Sequence, residues 1–139
     1  MDLSGYKIKL PIQVRFRDTD AMGHVNNAVF LSLLELARVE YWATVTGSRD
    51  YTSMQFILVR VEIDFRSPIK LGDDICVYIR TSKMGRSSWE FDYKIMDRHG
   101  DRLVAEAKTV QCCFDYQRNK VQRMTDEFRK KMEEFDASA

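Results

Sequence analysis

Hydrophobic and polar residues alternate along residues 8–17, with Ile8, Leu10, Ile12, Val14 and Phe16 on one side and Lys9, Gln13, Arg15 and Arg17 on the other. A period of two predicts a half-buried strand. Pro11, which has no N–H to give to a ladder, assigns that strand an edge position or a bulge. The same period returns at Val59, Val61, Ile63 and Phe65, at Ile75, Val77 and Ile79, and at Trp89, Phe91, Tyr93 and Ile95. Residues 103–114 are apolar on parts of both faces and predict a more central strand. Pro68 with Gly72-Asp73, then Met84-Gly85-Arg86, then Arg98-His99-Gly100-Asp101 supply the turns. Connections this short imply antiparallel neighbours.

Residues 27–46 change period. Phe30, Leu34, Ala37, Tyr41 and Val45 follow helical spacing, while Leu31, Leu33, Leu36 and Val39 widen the apolar surface almost all round. Such a helix is buried on most sides. Asn26 reads as its N-cap and Gly47 as its C′ residue. A narrower stripe, Phe128, Met132 and Phe135, predicts a surface helix over 126–135. The order is strand, long helix, four strands, terminal helix. The expectation is a single α+β domain over 1–139, a curved antiparallel sheet wrapped around one long helix, with a short C-terminal helix. One small sheet leaves open edges and an incompletely covered helix, which dimerisation through the sheet would resolve.

Composition narrows the function classes. The chain has 139 residues, 45% hydrophobic and 31% charged, with a formal net charge of +1. That balance gives no global footprint for nucleic acid or a membrane surface. No apolar run spans a bilayer, and residues 1–5 lack a secretory hydrophobic region. Cys76, Cys112 and Cys113 are odd in number, with two adjacent, which argues against a disulfide framework. His24 and His99 lie far apart, too few for a Cys/His zinc cluster. The reading is a reduced, cytoplasmic protein with no metal and no cofactor of its own.

Chemistry concentrates between the first strand and the long helix, in Asp18-Thr19-Asp20-Ala21-Met22-Gly23-His24-Val25-Asn26-Asn27. A strand-to-helix junction holds side chains firmly and directs free backbone N–H groups at whatever binds there. A carboxylate beside a helix N-terminus can act on water or an electrophile while those N–H groups stabilise an oxyanion.

This segment, extended to V-R-F-R-D-T-D-A-M-G-H-V-N-N-A-V-F-L-S-L-L-E-L-A-R at 14–38, resembles the hotdog-fold acyl-CoA thioesterases, in particular the 4-hydroxybenzoyl-CoA thioesterase type. F-R-S-P-I-K-L-G-D at 65–73 and G-R-S-S at 85–88 support the resemblance, which covers nearly the whole chain. It implies that Asp20 is the catalytic carboxylate and that the backbone N–H of Asn27 polarises the thioester carbonyl. It also implies a homodimer or homotetramer with sites at the subunit interface. Coenzyme A then arrives as part of the substrate. The H-V-N-N string is closer to plant acyl-ACP thioesterases, which carry asparagine where this chain has Met22. Coenzyme A and carrier-protein thioesters both stay open here, as do general-base and nucleophilic roles for Asp20.

Asp18 is assigned to turn formation. His24 is divided between acid–base work and holding the loop. Gly23 allows a ligand to approach, Asn26 caps, and Arg86 with Ser87 and Ser88 is the best phosphate-binding group, ahead of Lys83, Arg118 and Lys120. Glu35 and Arg38 are expected to form a partly buried ion pair, with a second reading of Glu35 as a carboxylate reaching substrate across an interface. Tyr41, Trp42 and Trp89 are assigned to core or interface, and Cys112 and Cys113 to strand packing. The rival functions are a non-catalytic acyl-CoA-binding protein and a hotdog dehydratase or hydratase.

Overall fold

The computed structural model describes residues 2–50, 55–99 and 101–137, the side chain of residue 137 excepted; Gly100 of the last expected turn and Met1 fall outside it. The strands are β1 (Ile8–Ile12), β2 (Phe56–Phe65), β3 (Ile75–Met84), β4 (Ser88–Asp97), β5 (Arg102–Asp115) and the two-residue β6 (Lys120–Val121). The helices are α1 (Val29–Thr46) and α2 (Asp126–Ala137). All strands join one antiparallel sheet in the order β1-β3-β4-β5-β2, with β6 paired to the end of β5. Pro11 therefore sits on an edge strand, as its missing N–H requires. The apolar stretch at 103–114 forms a central strand, also as expected.

The predicted first strand stops early. β1 pairs only with β3, and that pairing ends at Ile12 opposite Ile75, where β3 begins. With no neighbour beyond Ile12, the alternation at 13–17 has nothing to bond to. Phe16–Asp18 instead winds into a 3-10 turn, and Phe16 is left 80% exposed.

α1 packs its Phe30, Leu33, Leu34, Ala37 and Tyr41 face on the sheet, against Ile75, Val77, Ile79, Phe91, Tyr93 and Ile95. It begins two residues later than the spacing suggests, at Val29, with Ala28 in the cap position in place of Asn26. Asn26 Oδ1 is instead spent on the Ala28 N–H at 2.9 Å, a local turn ahead of the helix. At the other end Gly47 takes the left-handed conformation (φ 75°) and its N–H closes the helix on the Ala43 carbonyl at 2.9 Å.

α2 covers one end of the core with Met132 fully buried. Trp42, Phe56, Trp89 and Phe128 stack there in one aromatic cluster. Asp136 accepts from the Tyr41 hydroxyl and from the Thr81 N–H. Cys113 lies in the core, where burial pushes its thiol up to about 11, in keeping with packing rather than reactivity.

Two opposite flanks of α1 differ. Leu31 and Leu36, away from the sheet, are each 49% exposed. Leu36 shares a cleft with Leu58 of β2, the strand at the free edge of the sheet, where Val59 and Phe65 are exposed too.

Candidate active site

The polar segment folds back on itself before α1. The Asp20 N–H donates to the His24 carbonyl (2.7 Å) and the Gly23 N–H to the Asp20 carbonyl (3.0 Å). Gly23 turns the chain at φ 79°, and a Cβ there would meet nothing within 4 Å. The glycine is thus demanded by backbone conformation, not by crowding. The Val25 N–H donates to the Ile69 carbonyl and the Asn26 N–H to the Asp18 carbonyl, both at 2.8 Å. Isolated bridges tie Thr19 to Val25 and His24 to Lys70. The 65–73 segment singled out in the sequence is therefore the floor on which the loop is built.

The two aspartates divide cleanly. Asp18 is buried and accepts from the Arg15 N–H (2.9 Å), Nε (3.2 Å) and Nη2 (2.8 Å). The Arg15 guanidinium holds its carboxyl below the usual carboxylate range. Asp20 is exposed; its Oδ1 accepts from the Met22 N–H (2.9 Å) and the His24 N–H (3.2 Å). Those two bonds fix the carboxylate while Oδ2 remains without a protein partner among the described residues.

The backbone donors entering α1 can be followed one at a time. Asn26 N–H is used by Asp18, Ala28 N–H by the Asn26 side chain, Val29 N–H by the Asn26 carbonyl and Phe30 N–H by the Asn27 carbonyl. The Asn27 N–H is left over, with no acceptor among the described residues. It lies in the same cleft as Asp20. That cleft, of about 290 Å³, is lined by Asp20, His24, Asn27, Phe30, Phe65 and the 66–68 turn. His24 contributes its backbone to the loop and its half-buried imidazole to the cleft wall.

Arg86, Ser87 and Ser88 are elsewhere. The Ser87 carbonyl accepts from the Cys113 N–H (2.7 Å), and Cys113 pairs with Phe56 at the start of β2. Phe65, beside Asp20, is at the other end of that strand, opposite Ala105. Eight residues of β5 separate the two ends, roughly 26 Å at strand rise. A single protomer does not bring the serine turn to Asp20.

The expected Glu35–Arg38 ion pair is also absent. Glu35 is exposed, while Arg38 turns inward and its Nη1 donates to the Tyr93 hydroxyl at 3.3 Å. Burial beside the sheet offers Arg38 an oxygen that helical spacing cannot foresee. Phe30, Phe65 and Arg66 are cleft residues that no single-residue reading selected, although the F-R-S-P signature contained two of them. Among the described residues no group of three His, Cys, Asp or Glu side chains is placed to hold a metal, and no helix is long and apolar enough to cross a membrane.

Known proteins resemble this chain over most of its length. The 1,4-dihydroxy-2-naphthoyl-CoA hydrolase of Synechococcus elongatus is 30% identical over 112 residues, which cover 75% of this chain and 79% of the hydrolase. The long-chain acyl-CoA thioesterase FadM of Escherichia coli is 28% identical over 128 residues, covering 88% and 95%. A crystal structure of a thioesterase from Thermus thermophilus, complexed with coenzyme A and zinc, superposes with a TM-score of 0.87 at 32% identity. That superposition spans 96% of this chain and 97% of the Thermus chain. The model of the thioesterase-like superfamily matches residues 14–132. The fold is the hotdog fold, and the chain belongs to the thioesterase-like superfamily.

Proposed function

We propose that the acyl-CoA thioesterase chemistry of this protein is carried by Asp20 and the Asn27 N–H. The observation behind this reading is the unspent Asn27 N–H, left in the same cleft as a carboxylate with one oxygen held and one free. The thioester carbonyl oxygen accepts from that N–H, supported by the positive end of α1. Asp20 Oδ2 takes a proton from water, which attacks the carbonyl carbon; the thiolate of coenzyme A leaves and is protonated, and the acid is released. His24 organises the loop.

The cleft is completed by a second copy. β2 has β5 on one side only, and its free edge, with the exposed flank of α1, forms one apolar strip. An uncovered edge of that kind pairs readily. Two copies joined antiparallel along β2 place the Phe65 end of each beside the Phe56 end of the other. The Arg86–Ser88 turn, close to Phe56, then reaches the neighbouring Asp20 cleft, where it meets the phosphates of coenzyme A. The free thiols Cys76, Cys112 and Cys113 suit a reducing compartment such as the cytoplasm.

Thiol release from a panel of acyl-CoAs tests this reading. Asp20→Asn should lower kcat by roughly 100-fold or more with the fold intact. In a single turnover in heavy-oxygen water, base catalysis labels the product acid and leaves Asp20 unlabelled; label on Asp20 identifies a nucleophile instead. An active monomer by sedimentation removes the shared cleft.

A further inference from the structure

A second and larger cleft, of about 640 Å³, opens between the middle of α1 and the start of β2. Leu36, Val39, Phe56 and Leu58 give it apolar walls, and Glu35 stands on its exposed rim. Arg38 also lines it, although its residue is only 9% exposed. The guanidinium has a neutral partner: Nη1 donates to the Tyr93 hydroxyl, which shares a 2.6 Å hydrogen bond with Thr109 Oγ1. Thr109 bonds Gln111, and Gln111 Nε2 donates to the Trp89 carbonyl. This chain of bonds ends on backbone and contains no carboxylate. Burial pushes the Tyr93 phenol up, so it remains neutral and supplies no counter-charge.

Proteins pair buried charges, because an uncompensated one is costly. Here the sheet orients the cation and leaves its Nε and Nη2 without a protein acceptor among the described residues. Neither nitrogen is sealed off in the protein interior. The donors therefore open on the apolar cleft. A planar guanidinium with free parallel N–H groups is matched best by a carboxylate. The Glu35 carboxylate, exposed to water, is screened and makes no ion pair with Arg38.

We propose that Arg38 selects the acyl group, and that the preferred substrates are thioesters whose acyl chain ends in a second carboxylate. This rests on the thioesterase reading and on two-fold pairing along β2. That pairing sets the Arg38 cleft at the Phe56 end of one copy against the Asp20 cleft at the Phe65 end of the other. The acyl chain then runs from the Asn27 N–H across the interface to the guanidinium.

The test compares glutaryl-, adipoyl- and suberoyl-CoA with valeryl-, hexanoyl- and octanoyl-CoA. The wild type should favour one carboxylate-ended member over its methyl-ended counterpart by roughly 10- to 100-fold in kcat/KM, the weight of a charge-assisted hydrogen bond. Arg38→Met should bring that ratio near one while leaving turnover of the methyl-ended substrates within a few-fold. Tyr93→Phe, which frees the guanidinium from its anchor, should reduce the ratio less. Arg38→Lys keeps the charge and serves if the methionine variant does not fold. A wild type without the preference, or an Arg38→Met loss equal on both series, overturns the inference. So does dissociation of Arg38→Met protein to monomers with the preference intact, since the cation then pairs with protein. Calorimetric titration of adipoyl- and hexanoyl-CoA into Asp20→Asn protein reads the same preference without turnover. Failure of the wild type to hydrolyse any thioester overturns the catalytic reading alone, and the titration still decides the role of Arg38.

Discussion

The two flanks of α1 use the same residue types and reach opposite ends. On the sheet side, Phe30, Leu34, Ala37 and Tyr41 are closed off by β3 and β4, and the Tyr41 hydroxyl is tied by hydrogen bonds to Asp136 and Thr81. Away from the sheet, Leu31 and Leu36 stay half exposed, Leu36 beside the edge strand β2. The larger cleft opens along this second flank, two to three turns into α1, while the Asp20 cleft opens at the entry to the helix, where Phe30 meets Phe65 of β2. A helix apolar all round in a chain of this size thus carries two instructions: one side builds the core, and the other is the face on which the proposed second copy and substrate would lie.

The largest effect expected from breaking this comparison is at the start of the open flank. Asn27→Pro removes the one donor left over in the 26–30 run, two residues ahead of the first helical residue, so no helix hydrogen bond is lost with it. Loss of an oxyanion donor typically costs on the order of 100-fold or more in kcat. Asn27→Ala keeps the N–H and should retain much of the activity. An Asn27→Pro protein that folds, dimerises and hydrolyses acyl-CoA normally places the carbonyl elsewhere.

Next comes a matched pair of leucines. Leu34 is fully buried against the sheet and Leu36 is half exposed. Leu34→Ala should cost about 2–5 kcal/mol of stability in denaturant unfolding. Leu36→Ala should cost clearly less within a protomer and show instead as a weaker dimer and a raised KM. If chemical denaturation and sedimentation rank the two variants the other way, the assignment of core and interface flanks is reversed.

What the sequence disclosed and what it concealed follow the same division. Helical spacing located α1 and α2 and period-two spacing four strands, because each pattern records which side of an element faces the core; β5 showed instead as a run apolar on both faces, the mark of a central strand. Two-residue β6 is too short to show a period. The 13–17 strand fails because alternation cannot tell where the neighbouring strand stops. The Glu35–Arg38 pair fails because spacing along a helix is local, while Tyr93 is 55 residues away. In the loop, turn chemistry and resemblance together separated Asp18 from Asp20, and the structure pairs Asp18 with Arg15 and sets Asp20 on the cleft. Arg86, Ser87 and Ser88 belong to the opposite end of the sheet, and within one protomer nothing brings them to Asp20; only the proposed pairing of two copies would.

The smallest effect isolates that contrast between the aspartates. Asp18 is ionised and bonded to Arg15, and its pKa is lowered from an ordinary 3.8, with the Arg15 hydrogen bond the main cause. A carboxyl depressed in the folded state stabilises at pH values above its unfolded pKa, and the contribution is lost as pH falls through the folded pKa. Arg15 is largely exposed, so water and salt weaken the pair and the gain is small. Asp18→Asn should therefore be less stable than wild type by a constant margin near neutrality, and the margin should close in acid, below the ordinary carboxylate range. Subtracting the two stability curves removes the contributions of Glu90, Asp97 and Glu106, whose carboxyls are depressed as well. Activity per folded molecule should change little. A margin that stays open in acid makes the loss at Asp18 one of packing, and a kcat loss equal to that of Asp20→Asn makes Asp18 part of the reacting group.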